Sequence, residues 1–152
     1  MRDKNYTFLE IARVLSELGT CDRNRVGAVI VCDGRCVTWG YNGAPPGLPH
    51  CEDNAHGWAE YQSGEPTYML EAHGCRNATH AEANALAFAA RQGISTDGGT
   101  LYVTLSPCLD CARLLIAAGI SEVFYDSEYR EPAGRELLQQ GGVHCHQLTT
   151  LR

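Results

Sequence analysis

The sequence predicts an α/β fold, with a five-stranded mixed sheet carrying helices on both faces. Three observations predict it. Segments of helical period alternate with short β-branched apolar runs. An Asp33-Gly34 turn between two such runs marks an antiparallel hairpin near the start. After that hairpin the order is helix, strand, helix, strand, helix, strand, which calls for parallel crossovers.

The elements follow in order. Residues 4–18 carry Phe8, Ile11, Ala12, Leu15 and Leu18 at i, i+3, i+4, i+7 spacing, the stripe of an amphipathic helix. Gly19 supplies its end. Residues 26–31 and 35–41 are the hairpin strands. Residues 42–78 hold nine glycines and prolines, among them Gly43, Pro45, Pro46 and Gly47, and predict an irregular insertion. A loop of that length in a compact domain is usually functional or tied down. Residues 80–92 are strong helix formers, with Thr79 as a cap and Gly93 as a stop. Residues 100–105 form a strand. Ser106 then reads as a cap, with Pro107 in the first helical position and a helix over 108–118. Strands over 122–125 and 143–148 flank a helix over 132–140.

Length and composition bound the function. The chain has 152 residues, 44% of them apolar and 20% charged, which suits one soluble domain over 1–152. No apolar run approaches the roughly 18–20 residues of a membrane span, so no membrane partner is expected. The formal net charge is −6 and the 12 Lys and Arg are scattered, which argues against nucleic acid as a partner. A small phosphorylated ligand needs only one or two Arg. No secretory signal opens the chain, so the expected compartment is the reducing cytoplasm, of a host cell if the source is viral.

Eight Cys and six His in such a compartment favour metal over disulfides. One group is His80, Cys108 and Cys111. Cys108 and Cys111 stand three apart at the start of a helix, with both sulfurs on one face. His80 opens the facing helix. Three N/S ligands leave a fourth tetrahedral position for water, the arrangement of a catalytic Zn2+. Both helix N-termini favour thiolates. Glu82, two residues from His80, stands beside the metal without ligating it and suits a proton shuttle. His80-Ala81-Glu82 followed by Pro107-Cys108-Leu109-Asp110-Cys111 matches the H-x-E…P-C-x-x-C signature of zinc nucleobase deaminases. Two plainer readings remain. Thr79 and Glu82 also make a capping box, and Cys108 with Cys111 could be half of a structural zinc site.

A second group is Cys21, Cys51, His73 and Cys75, all in loops. Four ligands with no spare position would make a closed structural zinc that clips the insertion to the body. The alternative is free thiols and surface His. Cys32, Cys36 and Cys145 lie in strands and read as small buried side chains, with a Cys32–Cys36 bridge as the weaker alternative.

At these motifs the chain resembles the cytidine/deoxycytidylate deaminase superfamily, and within it the deoxycytidylate (dCMP) deaminases. The resemblance covers nearly the whole chain. It rests on Val26-Gly27-Ala28-Val29-Ile30, Gly40-Tyr41-Asn42-Gly43, His80-Ala81-Glu82-Ala83-Asn84-Ala85, and the run from Tyr102 through Pro107-Cys108 to Ala112. It implies a three-layer α/β/α sandwich and hydrolysis of dCMP to dUMP and ammonia, the supply of dUMP for thymidylate synthesis. It also implies homo-hexamers, activation by dCTP and inhibition by dTTP, with Mg2+ accompanying a triphosphate effector. By resemblance His80, Cys108 and Cys111 hold the catalytic zinc, Glu82 shuttles protons, and some members carry a second zinc. Asn42 resembles the residue that reaches the sugar or a regulatory nucleotide. Arg25, Tyr129 and Ser106 are further substrate-site candidates, with Arg25 and Tyr129 for the phosphate. Tyr41, Gly43, Phe88 and Arg91 are candidates for an effector site or subunit interface, and an exposed Arg91 with no role is the competing reading. Ala83 departs from the bulkier residue often found there, which touches packing rather than chemistry. Other readings are a deaminase of dCTP or 5-methyl-dCMP, a tRNA adenosine deaminase, which the net charge disfavours, and a non-catalytic zinc-binding domain.

Overall fold

The computed structural model describes residues 3–21, 24–50 and 78–149. Its elements are α1 (Lys4–Ser16), β1 (Gly27–Cys32), β2 (Arg35–Tyr41), α2 (Ala81–Gln92), β3 (Thr100–Leu105), α3 (Leu109–Ala117), β4 (Glu122–Ser127), α4 (Ala133–Gln140) and β5 (His144–Gln147). The strands form one sheet in the order β2-β1-β3-β4-β5. β1 is antiparallel to both β2 and β3, and the β3–β4 and β4–β5 pairs are parallel. This is the mixed α/β sheet that the alternation of segments predicts. Asp33 and Gly34 both take positive φ, 50° and 73°, as a tight hairpin turn requires.

Two apolar layers hold the sheet. On one face Ala81 and Ala85 of α2, Ala112 and Leu115 of α3 and Leu138 of α4 pack on Ile30, Leu101, Val103 and Val123. On the other, Leu9 and Ala12 of α1 cover Val29, Val31, Tyr102 and Phe124. β1 is buried along almost its whole length, as a central strand should be. A bidentate pair from Arg13 to Asp126, with N–O distances of 2.8 and 3.0 Å, ties α1 to the end of β4.

The buried stripe of α1 is rotated from the expected one. Leu9 and Ala12 are fully buried, whereas Ile11 stands exposed, and Leu18, expected within the helix, is exposed in the turn after α1 ends at Ser16. The helix lies along the sheet with Ala12 against Gly27, which turns Ile11 to the flank. Cys36 is also exposed, while Cys32 and Cys145 are half-buried, and all three are free thiols. The reading of Cys36 as a buried side chain therefore fails, because β2 is an edge strand. The Cys32–Cys36 bridge is absent.

The ends of the Pro/Gly-rich segment meet at one point. Gly43 and Thr79 form an antiparallel bridge. Of that segment, residues 51–77 lie outside the described residues, as do Cys51, His73 and Cys75.

Candidate metal centre and cavity

The helix starts shape the site. His80, not Thr79, is the N-cap of α2, with an extended backbone (φ −68°, ψ 152°). Cys108, not Ser106, is the N-cap of α3 (φ −72°, ψ 174°), so Pro107 precedes the helix rather than opening it. Neither cap side chain bonds to its helix. Thr79 is diverted because its backbone pairs with Gly43. Ser106 is diverted because its Oγ accepts the Tyr129 N–H at 2.8 Å. The two ligand candidates thus take the two cap positions and leave their side chains free to converge.

They do converge. The Cys108 and Cys111 sulfurs each lie 3.4 Å from His80 Nδ1. All three donor atoms lie within 4.8 Å of one another, and among the described residues this is the one such group. A tetrahedral zinc with bonds of about 2.0–2.1 Å to nitrogen and about 2.3 Å to sulfur sets its N and S ligands roughly 3.5 Å apart. The donor set therefore fits zinc.

The three groups are strongly coupled to one another. The Cys108 thiol is pulled down to about 4 by its hydrogen bond with Cys111 and by the His80 ring, against the opposing effect of burial. His80 rises to about 8, chiefly through its hydrogen bond to Cys108. The Cys111 thiol is pushed up by that same partner and by burial. One sulfur ionises easily and opposes ionisation of the other. A divalent cation removes that opposition.

Glu82 is buried, 4% exposed, in the first turn of α2. Burial raises its carboxyl to about 7, with the Cys111 sulfur and His80 beside it. α2 reaches this depth because it lies directly on β2. A Cβ on Gly40 would stand 2.4 Å from the Ala81 carbonyl oxygen. Gly40 thus serves helix–strand contact. Asn84 Nδ2 also donates to the Tyr41 carbonyl at 3.0 Å.

A cavity of about 330 Å³ opens on this group. Its walls include Cys21, Asn24, Val26, Asn42, His80, Glu82, Leu105, Ser106, Cys108, Glu128, Tyr129 and Arg130. Asn42 is 7% exposed and holds the wall in place: Oδ1 accepts the Val26 N–H at 2.8 Å and Nδ2 donates to the Asn24 carbonyl at 2.6 Å. Ser106 is buried. Arg130 stacks its guanidinium over Tyr129, 5.4 Å from the ring centroid.

The remaining candidates lie elsewhere among the described residues. Arg25 does not line the cavity and reaches the Glu17 carbonyl at 3.5 Å. Phe88 and Arg91 are exposed on α2. Tyr41 is half-buried and stacks on Trp39 at 6.2 Å. Gly43 sits at the bridge to Thr79. Sequence reasoning missed Asn24, Glu128 and Arg130. Arg130 had a signal, since it adjoins Tyr129 just after the fourth strand.

The model of the cytidine and deoxycytidylate deaminase zinc-binding region matches residues 2–127. Deoxycytidylate deaminase of Enterobacteria phage T2 is 32% identical over 176 residues, covering 97% of this chain and 94% of that protein. Its counterpart from Mycobacterium phage D29 is 41% identical over 121 residues, covering 80% and 92%. Among solved structures, dCMP deaminase of cyanophage S-TIM5 in complex with dCMP and dUMP superposes with a TM-score of 0.79 at 32% identity, covering 97% of this chain and 99% of that one. With most of its length matched by the family model and a His/Cys/Cys cluster that fits zinc, the chain belongs to the cytidine and deoxycytidylate deaminases.

Proposed function

We propose that this enzyme hydrolyses dCMP to dUMP and ammonia. One observation carries the reading: a buried carboxyl, Glu82, beside a His/Cys/Cys donor set at the wall of a cavity of about 330 Å³. That volume lies within the range of small-molecule sites, about 300–1,000 Å³. The named relatives support dCMP as the substrate.

His80, Cys108 and Cys111 would hold zinc. Zinc, when bound, lowers the pKa of a coordinated water from 15.7 to about 7. The other steps belong to the chain. Burial raises the Glu82 carboxyl above its ordinary range, which brings it towards the range in which a carboxyl can both accept and release a proton. It takes the proton of the attacking water and delivers it to N3 of the cytosine ring. It then carries the second water proton, from the new C4 hydroxyl, to the 4-amino group, which leaves as ammonia as the C4 carbonyl forms. Asn42 and Ser106 fix the walls on either side of the base. Arg130, the single Arg or Lys among the described cavity residues, takes the phosphate in place of Arg25.

The finer expectations join this proposal. Cys21, buried at the cavity wall, would join Cys51, His73 and Cys75 around a second, structural zinc. Tyr41, Gly43, Phe88 and Arg91 would serve dCTP or dTTP, with Mg2+, in a homo-hexamer. The test is ammonia release from dCMP, dCTP, CMP and 5-methyl-dCMP, each with and without dCTP or dTTP. Turnover of dCMP above the others supports the assignment, and a preference for dCTP or 5-methyl-dCMP replaces it. A count of one zinc per chain, with Cys51→Ser leaving thermal stability unchanged, removes the second zinc.

A further inference from the structure

Gly134 lies in the first turn of α4, where its backbone is ordinary helix and no positive φ calls for glycine. Glycine is a weaker helix former than alanine, so its use there invites a steric cause. The cause is its neighbour. A Cβ on Gly134 would lie 2.1 Å from the Pro107 carbonyl oxygen and 2.7 and 2.8 Å from the carbonyl carbon and oxygen of Cys108. All three are backbone atoms, which cannot swing aside as a side-chain tip can. They belong to the two peptides that flank Cys108, a metal-ligand candidate. The next residue anchors the same turn: Arg135 donates to the Tyr125 hydroxyl at 3.3 Å and pairs with Glu128 on the cavity wall.

We propose that Gly134 is a positioning residue for the metal centre, its bare backbone letting α4 brace the peptides on either side of Cys108 so that the Cys108 sulfur meets His80. The inference rests on the zinc reading above. Relief of a 2.1 Å contact requires a movement of about 1 Å to restore ordinary packing. Metal–donor distances tolerate only about 0.2 Å. An added methyl group at residue 134 therefore reaches the metal through Cys108.

The test loads the full-length protein and Gly134→Ala with cobalt(II) in place of zinc, using Cys111→Ser as the blank that assigns thiolate-to-cobalt bands to this centre. Zinc affinity is read separately by competition with a chromophoric chelator. The proposal expects altered charge-transfer bands in Gly134→Ala and zinc held at least tenfold more weakly. Were Gly134 simply a helix residue, alanine would raise thermal stability and leave bands and affinity unchanged, and that result overturns the proposal. If Gly134→Ala does not fold, Arg135→Met loosens the same turn without adding volume. Zinc loss to the chelator should then be several-fold faster, and an unchanged rate counts against the bracing role. A parent protein that takes up neither cobalt nor zinc removes the zinc reading itself, which is distinct from a defect confined to the variant.

Discussion

Thr79 and Gly43 exchange backbone hydrogen bonds in both directions, 2.8 and 3.1 Å long, directly before the ligand candidate His80. The bridge closes the base of the Pro/Gly-rich segment and fixes the entry angle of α2. Gly43→Pro deletes the 3.1 Å bond, whose donor is the Gly43 N–H. The expected loss is about 1–3 kcal/mol of stability, with weaker zinc retention, read by urea unfolding and metal analysis. Unchanged zinc retention would mean that α2 needs no help from the bridge to present His80.

Glu82→Gln keeps the size and polarity of the side chain and removes its proton traffic. Turnover of dCMP should fall on the order of 10²–10⁴-fold while zinc content stays at the parent value. Ammonia release and metal analysis on one preparation check both halves. Retained turnover would reduce Glu82 to a structural residue in the first turn of α2.

The same carboxyl makes stability depend on pH in the metal-free protein. Its folded pKa, about 7, lies above the ordinary 4.5, so the folded state holds the proton more tightly. That contribution is complete below about pH 4.5 and is lost as pH rises through 7. The metal-free Glu82→Gln protein should therefore be more stable than its parent at pH 8, on the order of 3 kcal/mol, with little difference at pH 4. Paired urea titrations at the two pH values measure it. Equal differences at both would show that Glu82 carries no charge cost.

Arg130→Met should raise KM for dCMP about 10- to 100-fold, the worth of a charge-assisted bond, with a smaller change in kcat. Arg25→Met should change KM less, because Arg25 stands outside the cavity wall. Steady-state kinetics of the two variants rank them. The reverse ranking would restore Arg25 as the phosphate partner.

The sequence carried the sheet well because periodicity and turn chemistry are local. Asp33-Gly34, the β-branched runs and the glycine stops each act within a few residues. It also carried the donor set, since His80, Cys108 and Cys111 are marked by residue type and spacing. Cap identity was not legible. Thr79 and Ser106 are good caps by type, but their partners Gly43 and Tyr129 come from distant stretches of chain. Exposure of Ile11 depends on how α1 rolls on the sheet, that of Leu18 on the helix ending at Ser16, and that of Cys36 on β2 being an edge strand. The demand for glycine at 134 arises from a through-space contact with Pro107 and Cys108, which no local pattern encodes.

Anomalous diffraction at the zinc edge from crystals of the purified protein tests the metal centre most directly. The expected result is a peak about 2.0–2.1 Å from His80 Nδ1 and about 2.3 Å from the Cys108 and Cys111 sulfurs, with no protein atom in the fourth position. A map with no peak among these three residues, or with a fourth side chain completing the tetrahedron, would contradict the account.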